Sequence, residues 1–266
     1  TIETIVGDEH TPALNTTPES YAIQKDLRKM ADAGQDVCVM EVSSQGLMMH
    51  RVDGMTFEVG IFTNIEPDHI GPNEHADFDD YLACKARLFR QCRIGVLNGD
   101  DKHLAEILRE HTCVPYTFGL KEKDDFYAKE LRLVRENGVL GADFGLQIRE
   151  DTLRALGFTE ETALSQREPL RIAMPGKFSV DNALCAIAAA MAALRDAPAK
   201  EKAAFAQAVR EALLTTKVKG RIESVRVSDS FSLFIDYAHN AMALESLLNT
   251  LKEYRPHRLV TLFGCG

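Results

Sequence analysis

GIFTNIEPDHIGPNEHADFDDYLACKARLF, residues 60–89, is the stretch whose reading decides the fold. An apolar run, Val59 to Phe62, reads as a buried strand. It breaks into a loop holding Glu66, Asp68, His69, Glu74 and His75, then closes on a helix, Phe78 to Arg90, that carries Lys85. Strand, polar loop, helix is where open α/β sheets place chemistry, outside the carboxyl ends of their strands. So many carboxylates and imidazoles in one loop suit a divalent metal beside phosphate. Taken singly, His69 also suits a structural loop histidine, and Lys85 a solvated helix residue.

Toward the N-terminus, Thr1 to Val6 is a β-branched run that predicts a strand. In Asn15-Thr16-Thr17-Pro18-Glu19-Ser20, Thr17 is a good N-cap and Pro18 suits a first helical position. The helix is expected to run to about Ala33 with Ile23, Leu27 and Met30 on one face, ended by Gly34. Val37 to Val42, apolar throughout, predicts a strand buried on both faces. Ser43-Ser44-Gln45-Gly46 after it reads equally as a ligand loop and as an N-cap for a helix through Leu47 and Met48. Glu41 is informative, because a carboxylate ending a buried strand is costly unless paired or metal-bound. His50-Arg51 adds positive charge nearby.

Toward the C-terminus, Ile94 to Leu97 and Val114 to Phe118 predict strands flanking a helix, Lys102 to Glu110, which follows the Asn98-Gly99-Asp100-Asp101 turn. The alternation argues for a parallel sheet with helices on its faces. Ala128 to Arg135, Gly138 to Ile148 and Leu170 to Met174 read as an antiparallel patch joined by turns such as Asn137-Gly138. Gln147 to Arg167 reads as a polar loop. Pro175 to Ser179 leads into an Ala-rich helix, Val180 to Arg195, with Asn182 in its first turn. The helix Lys200 to Leu214 and a basic connector, Lys217 to Glu223, follow. Phe231 to Ile235, Ala243 to Tyr254 and Leu259 to Phe263 then read as a βαβ unit. The expected class is α/β: a mostly parallel central sheet flanked by helices, an antiparallel patch, and the first βαβ unit of a second Rossmann-like domain.

The chain has 266 residues, 45% hydrophobic and 27% charged, with a formal net charge of −9. That charge speaks against a broad nucleic-acid or anionic-membrane surface. The 6 cysteines form no C-x-x-C pair, which suits reduced thiols. No signal-peptide pattern opens the sequence, and the most apolar helix, Ala183 to Leu194, is shorter than the roughly 18 residues of a membrane span. The expectation is a cytoplasmic protein without membrane insertion. A first residue other than Met, and an end just past an apolar run, lead us to expect a piece of a longer chain.

Several separated segments together resemble the Mur ligases, ATP-dependent ligases of peptidoglycan precursor synthesis. They are Asn15 to Ser20, Met40 to Leu47, Thr63 to His69, Tyr81 to Phe89, Pro175 to Leu184, Gly220 to Glu223 and Asp236 to Asn240, in the family's order. The nearest resemblance is to members that add the third residue, diaminopimelate or lysine, to UDP-N-acetylmuramoyl-L-alanyl-D-glutamate. The resemblance implies roles. Glu41 and His69 resemble ligands of the Mg2+ ions that bridge ATP and the substrate carboxylate. Lys85 resembles the family's carbamylated lysine, a third metal-holding anion. Asn182 resembles the adenine contact, Arg221 a phosphate or ribose contact, and Asp236 the ribose contact. Thr16, Thr17, Ser43 and Arg51 resemble contacts to the UDP-muramoyl dipeptide. Thr16 and Thr17 also suit capping.

The implied reaction has two steps. The substrate carboxylate attacks the γ-phosphate of ATP to give an acyl phosphate, and the incoming amine then displaces phosphate. Residues 1–221 are expected to form the central ATP-binding domain and 222–266 the start of the C-terminal ligase domain. The sequence also departs from the family. Its glycine-rich phosphate loop, G-T-x-G-K-S/T, is not in this chain, so the chain alone is expected to be inactive or nearly so. Met49, Asp181 and Ala241 stand where other residue types are common. Three alternatives remain: a folylpolyglutamate synthase-like ligase, a non-catalytic binding fragment, and a hydrolase using Asp68, His69 and His75. The N-T-T-P and E-V-S-S-x-G-L segments speak against the first, and the lack of an H-x-x-x-H spacing against the last.

Overall fold

A computed structural model describes residues 3–68, 70–72, 74–136, 139–159, 162, 164, 168–225, 227–228, 230–239 and 241–264. The elements are, in order, β1 (Glu3–Val6), β2 (Glu9–Pro12), α1 (Ser20–Asp32), α2 (Ser44–Met48), β3 (Phe57–Phe62), α3 (Phe78–Ala86), β4 (Cys92–Asn98), α4 (Leu104–Ile107) and β5 (Val114–Gly119). Then follow β6 (Phe126–Glu136), β7 (Val139–Ile148), α5 (Glu150–Ala155), β8 (Leu170–Ile172), α6 (Lys177–Ala193), α7 (Ala199–Thr215), β9 (Glu223–Val225), β10 (Leu233–Ile235) and α8 (Ala241–Glu253). A six-stranded sheet has the order β3-β4-β5-β6-β7-β8. It is mostly parallel, as expected. Helices α3 and α4 return the chain between β3, β4 and β5, the crossover that parallel neighbours need. The chain divides into two compact units. One holds residues 1–95 and 101–115, the other 96–100 and 116–266.

In the first unit, α1 buries Ile23 against Leu47, Val52 and Cys84, with Leu27, Met40, Val42 and Phe57 packed around them. The helix stops where Gly34 turns left-handed at φ 70, as read from the sequence. Its start differs. Glu19, extended at φ −64 and ψ 151, is the cap residue and makes no side-chain cap bond. Thr17 is spent elsewhere. The expected strand Val37 to Val42 is also absent: no ladder forms there, and Val39 is 89% exposed. A run apolar on both faces becomes a strand only beside other strands. Here only Met40 and Val42 reach the core. Gly60 lets β3 approach β4, since a Cβ there would stand 2.7 Å from Cys92 Sγ. Burial pushes the Cys92 thiol up to about 12, and Cys113 beside it adds to the shift. Cys38, Cys84, Cys92, Cys113 and Cys185 are free thiols, as expected, and Cys265 lies outside the described residues.

In the second unit, β5 meets β6 in parallel only through Phe118↔Phe126 and Gly119↔Tyr127. The antiparallel patch is as expected: β6 pairs with β7 from Phe126↔Ile148 to Glu136↔Val139, and β8 adds Ala142↔Ile172. The Asn137-Gly138 turn lies outside the described residues. Helix α6 covers β6 and β7 with Val180, Leu184, Ile187 and Met191, all buried. Each such side chain contributes roughly 1.5–3 kcal/mol relative to exposure. The expected polar loop Gln147 to Arg167 holds more structure where it is described: β7 runs to Ile148, α5 follows, and Leu153, Leu156, Phe158 and Leu164 are buried. The final segment differs from a βαβ unit. β10 pairs antiparallel with β9, α8 follows, and 259–263 form no ladder, with Leu262 98% exposed. Tyr254, just past α8, ties this segment down. Its hydroxyl accepts the Gly176 N–H and donates to Gly141 O, both at 2.9 Å. Among the described residues no helix is long and apolar enough to cross a membrane.

Lys202 on α7 is buried, and its ammonium donates to Leu156 O (3.5 Å), Gly157 O (2.8 Å) and Arg195 O (2.5 Å). These carbonyls follow the C-terminal ends of α5 and α6, where a cation is favoured. Lys202→Met keeps the stem but strands the three carbonyls. Urea unfolding is expected to show a loss of about 2–3 kcal/mol. A change within about 0.5 kcal/mol would mean the ammonium does not hold these ends.

Candidate functional site

The residues singled out from the sequence fall in both units. In the first, Thr17 organises the surroundings of Glu41, Ser43 and Arg51. It is 1% exposed. Its oxygen accepts the Ser43 N–H at 2.8 Å, and its one proton can serve Glu41 O at 3.0 Å or Ser43 Oγ at 3.1 Å. Ser43 Oγ in turn accepts the Gly46 N–H at 3.0 Å, so Ser43 does cap α2. Gly46 is required by this closeness: a Cβ there would stand 2.8 Å from Thr17 Cβ. Arg51 reaches back, Nη1 to Thr17 O at 3.0 Å and Nη2 to Glu19 at 2.7 Å. Its Nε–H is buried and, among the described residues, has no hydrogen-bond partner. Thr16 and the Glu41 side chain face solvent.

Lys85 lies on α3, one turn beyond Tyr81, its Nζ 5.1 Å from the centre of that ring. Burial lowers the Lys85 ammonium below its ordinary value, opposed more weakly by Cys84 and Asp68. The same burial, with Asp68 nearby, raises the Tyr81 phenol. Cys84 Sγ, beside Lys85, donates to Ser44 O at 3.1 Å and so joins α3 to the start of α2. Asp77 starts α3 by accepting the Asp80 N–H at 2.8 Å. His69 lies outside the described residues. Among the described residues, no three His, Cys, Asp or Glu side chains gather as a metal cluster. His75 is fully buried, its Nδ1 bonded to Asp80 at 3.1 Å and its ring tilted against Tyr81, while its Nε2 has no hydrogen-bond partner among the described residues. Sequence reasoning had not singled out Tyr81. The signal was its spacing of four from Lys85, which puts both on one helix face.

In the second unit, Asn182 is exposed on α6. Gly176, at φ 96, lets the helix begin at Lys177, so Asn182 falls in the second turn rather than the first. Asp236 is occupied by backbone: Oδ2 accepts the Ile222 N–H at 2.7 Å and Oδ1 the Ala238 N–H at 2.8 Å. Arg221 lays its guanidinium over the Tyr237 ring at 5.7 Å. Asp181, next to Asn182, is half-buried, and its carboxyl is raised to about 6 by burial first and by Asp100 second. Asp100 holds Lys121 at 2.6 Å and the Leu120 N–H at 2.8 Å.

A family model described as the Mur ligase middle domain matches residues 1–190, and one described as Mur ligase, glutamate ligase domain, matches residues 220–266. The chain is 34% identical over 267 residues to the UDP-N-acetylmuramoyl-L-alanyl-D-glutamate--2,6-diaminopimelate ligase of Caldanaerobacter subterraneus subsp. tengcongensis. The match covers 100% of this chain and 49% of that protein. The chain thus spans about half the length of the relatives it matches. A solved structure of a ligase of that name superposes with a TM-score of 0.64 at 23% identity, over 94% of this chain and 47% of that one. Folylpolyglutamate synthetase from Lactobacillus casei shares the fold, with a TM-score of 0.56 at 19% identity, over 88% of this chain and 51% of that one.

Two outcomes follow from this geometry. Thr17→Val keeps the shape but leaves the Ser43 N–H without its acceptor, an expected loss of about 1–3 kcal/mol in urea unfolding. Asp181 sets a pH dependence. Between the ordinary carboxyl value of 3.8 and about 6, the folded chain keeps a proton that the unfolded chain has released. Stability therefore falls as pH rises through that window. Asp181→Asn should match the parent below about pH 4 and exceed it above about pH 6. A difference independent of pH would refute the assignment.

Proposed function

The chain belongs to the Mur ligase family, and on that premise we propose that it serves ATP-dependent amide-bond formation in peptidoglycan precursor synthesis. The proposed reaction adds the third amino acid, diaminopimelate or lysine, to UDP-N-acetylmuramoyl-L-alanyl-D-glutamate. The carboxylate takes the γ-phosphoryl group of ATP, and the amine then displaces phosphate. Residues 1–221 would form the central domain and 222–266 the start of the C-terminal one. The proposed compartment is the cytoplasm.

Lys85 carries the reading. Burial favours its neutral amine, the form that adds carbon dioxide: the nitrogen lone pair bonds to carbon, and one proton leaves to water. The resulting carbamate would hold Mg2+ with Glu41 and His69. The carbamate and the Glu41 carboxylate would supply the hard oxygen donors that this ion prefers, with the His69 imidazole a softer third. When bound, the ion would neutralise the crowded carboxylate and phosphate charges. The chain's own residues do the rest. Thr17 fastens the backbone at Glu41 and Ser43, so the side chain of Glu41 departs from a fixed point. Arg51 Nε–H, buried and unpaired among the described residues, is a donor suited to an anionic group of the UDP-muramoyl dipeptide, with Thr16, Thr17 and Ser43 alongside. Asn182 would contact adenine and Arg221 a phosphate or ribose. Asp236 would contact ribose, sharing oxygens now held by backbone N–H groups.

The first test is direct. With 13C-bicarbonate, the protein is expected to show a carbamate carbon signal that Lys85→Arg abolishes. No signal at any pH would sink the role of Lys85. The second is kinetic. In a protein extended to the length of the relatives, Lys85→Ala should lower turnover by about 10²-fold or more. Given ATP, UDP-muramoyl dipeptide and diaminopimelate, the 266-residue chain alone should release phosphate only at background. Steady release would overturn this division of roles.

A further inference from the structure

A cavity of about 430 Å3 opens on the antiparallel patch, lined by Lys129, Glu130, Arg132, Asp143, Gly145 and Glu168 among others, none of them a residue assigned above. Its shape comes from one irregularity. Lys129 pairs with Gly145 and Arg132 with Asp143, the register slipping between them. Asp143 and Gly145 are two apart on β7 and share a face, so Lys129 and Arg132 share it too. An unbroken strand would have put Leu131 there; the extra residue re-aims Arg132. The bulge is held by Glu130 at φ 54, a left-handed conformation that a residue with a side chain adopts at a cost. Gly145 leaves the floor open. A Cβ there would stand 3.1 Å from Lys129 Cγ.

The charges are not used up internally. Asp143 is taken by Arg171, at 2.7 and 3.0 Å, and Arg132 comes only within 4.0 Å of it. Among the described residues Lys129 and Glu130 form no ion pair, and Glu168 has only Arg210 at 3.4 Å. Two cations thus share one face of the sheet, and two exposed carboxylates line the same cavity. A multiply charged anion would meet those carboxylates, and a simple cation the two bases. A molecule carrying both charges satisfies all four groups.

We propose that this cavity binds a small zwitterion, a free α-amino acid, with its carboxylate on Lys129 and Arg132 and its ammonium on Glu130 and Glu168. Saturation-transfer NMR on the chain tests it, with L-alanine as probe and acetate, methylammonium and inorganic phosphate as comparisons. L-Alanine is expected to bind saturably, and acetate or methylammonium alone about tenfold more weakly or worse. Lys129→Met and Glu130→Gln should each weaken L-alanine by about tenfold. Glu130→Gly removes the carboxylate while relieving the backbone, so it should raise Tm and still weaken binding. A loss in that variant cannot be put down to misfolding. Absence of saturable L-alanine binding overturns the proposal. So does phosphate or acetate binding as well as L-alanine, or unchanged binding in Lys129→Met and Glu130→Gln.

Discussion

A single buried hydroxyl decides where the first unit's chemistry can stand. Thr17 Oγ sits between Glu41 O and the Ser43 N–H, so the loop before α1 and the loop before α2 are one polar knot. Neither segment has a β-ladder to satisfy its backbone, and a buried unpaired N–H or C=O would cost about 1–3 kcal/mol. The knot meets that requirement locally. It also explains Gly46, which must be small where Thr17 presses on α2, and Arg51, whose guanidinium finds Thr17 O. Capping and ligand contact, set against each other for these residues at the level of sequence, are compatible. The same atoms that hold the backbone fix where Glu41, Ser43 and Arg51 leave it, the positions that the proposed roles would use.

The second unit buries carboxylates instead. Asp124, 1% exposed, fits only because Gly99 and Gly119 lack side chains; a Cβ on Gly119 would stand 2.5 Å from its Oδ2. Burial raises the Asp124 carboxyl, Lys123 opposes the shift, and Asp100 adds to it. Asp100 in turn raises Asp181. Negative charge is therefore crowded where β4 and β5 end, with Lys121 and Lys123 partly offsetting it. Such crowding disfavours folding in itself, which is why it draws attention as a place kept for something other than stability.

How far the sequence could be read follows from which interactions are local. β3, α3 and the helix stop at Gly34 were legible, because an apolar run, a 3.6-residue period and a left-handed glycine are properties of a few neighbouring residues. Val37 to Val42 was misread because a doubly buried strand depends on neighbours that its own residues do not specify. α5 was missed because its polar residues hide Leu153, which only the fold shows to be buried. The bulge at Glu130 had no glycine to announce it. Lys85 could be picked out only by resemblance. Its defining property, a depressed ammonium, arises from burial against Tyr81, and burial is a tertiary quantity.

Two lysines, Lys202 buried and Lys85 half-buried, meet different surroundings. Lys202 directs its hydrogens at three carbonyls and lies 5.0 Å from the Phe158 ring. Each of its hydrogens thus has a carbonyl to meet. Lys85 has a ring face and, among the described residues, no hydrogen bond. Burial disfavours its charge, and Cys84 and Asp68 oppose that shift more weakly. The same side chain is thus tied to backbone carbonyls in one setting and set against a ring face in the other. What decides is whether the surrounding backbone offers carbonyls. On this ground Lys85, rather than Lys202, is the lysine on which the proposed carbamate would form.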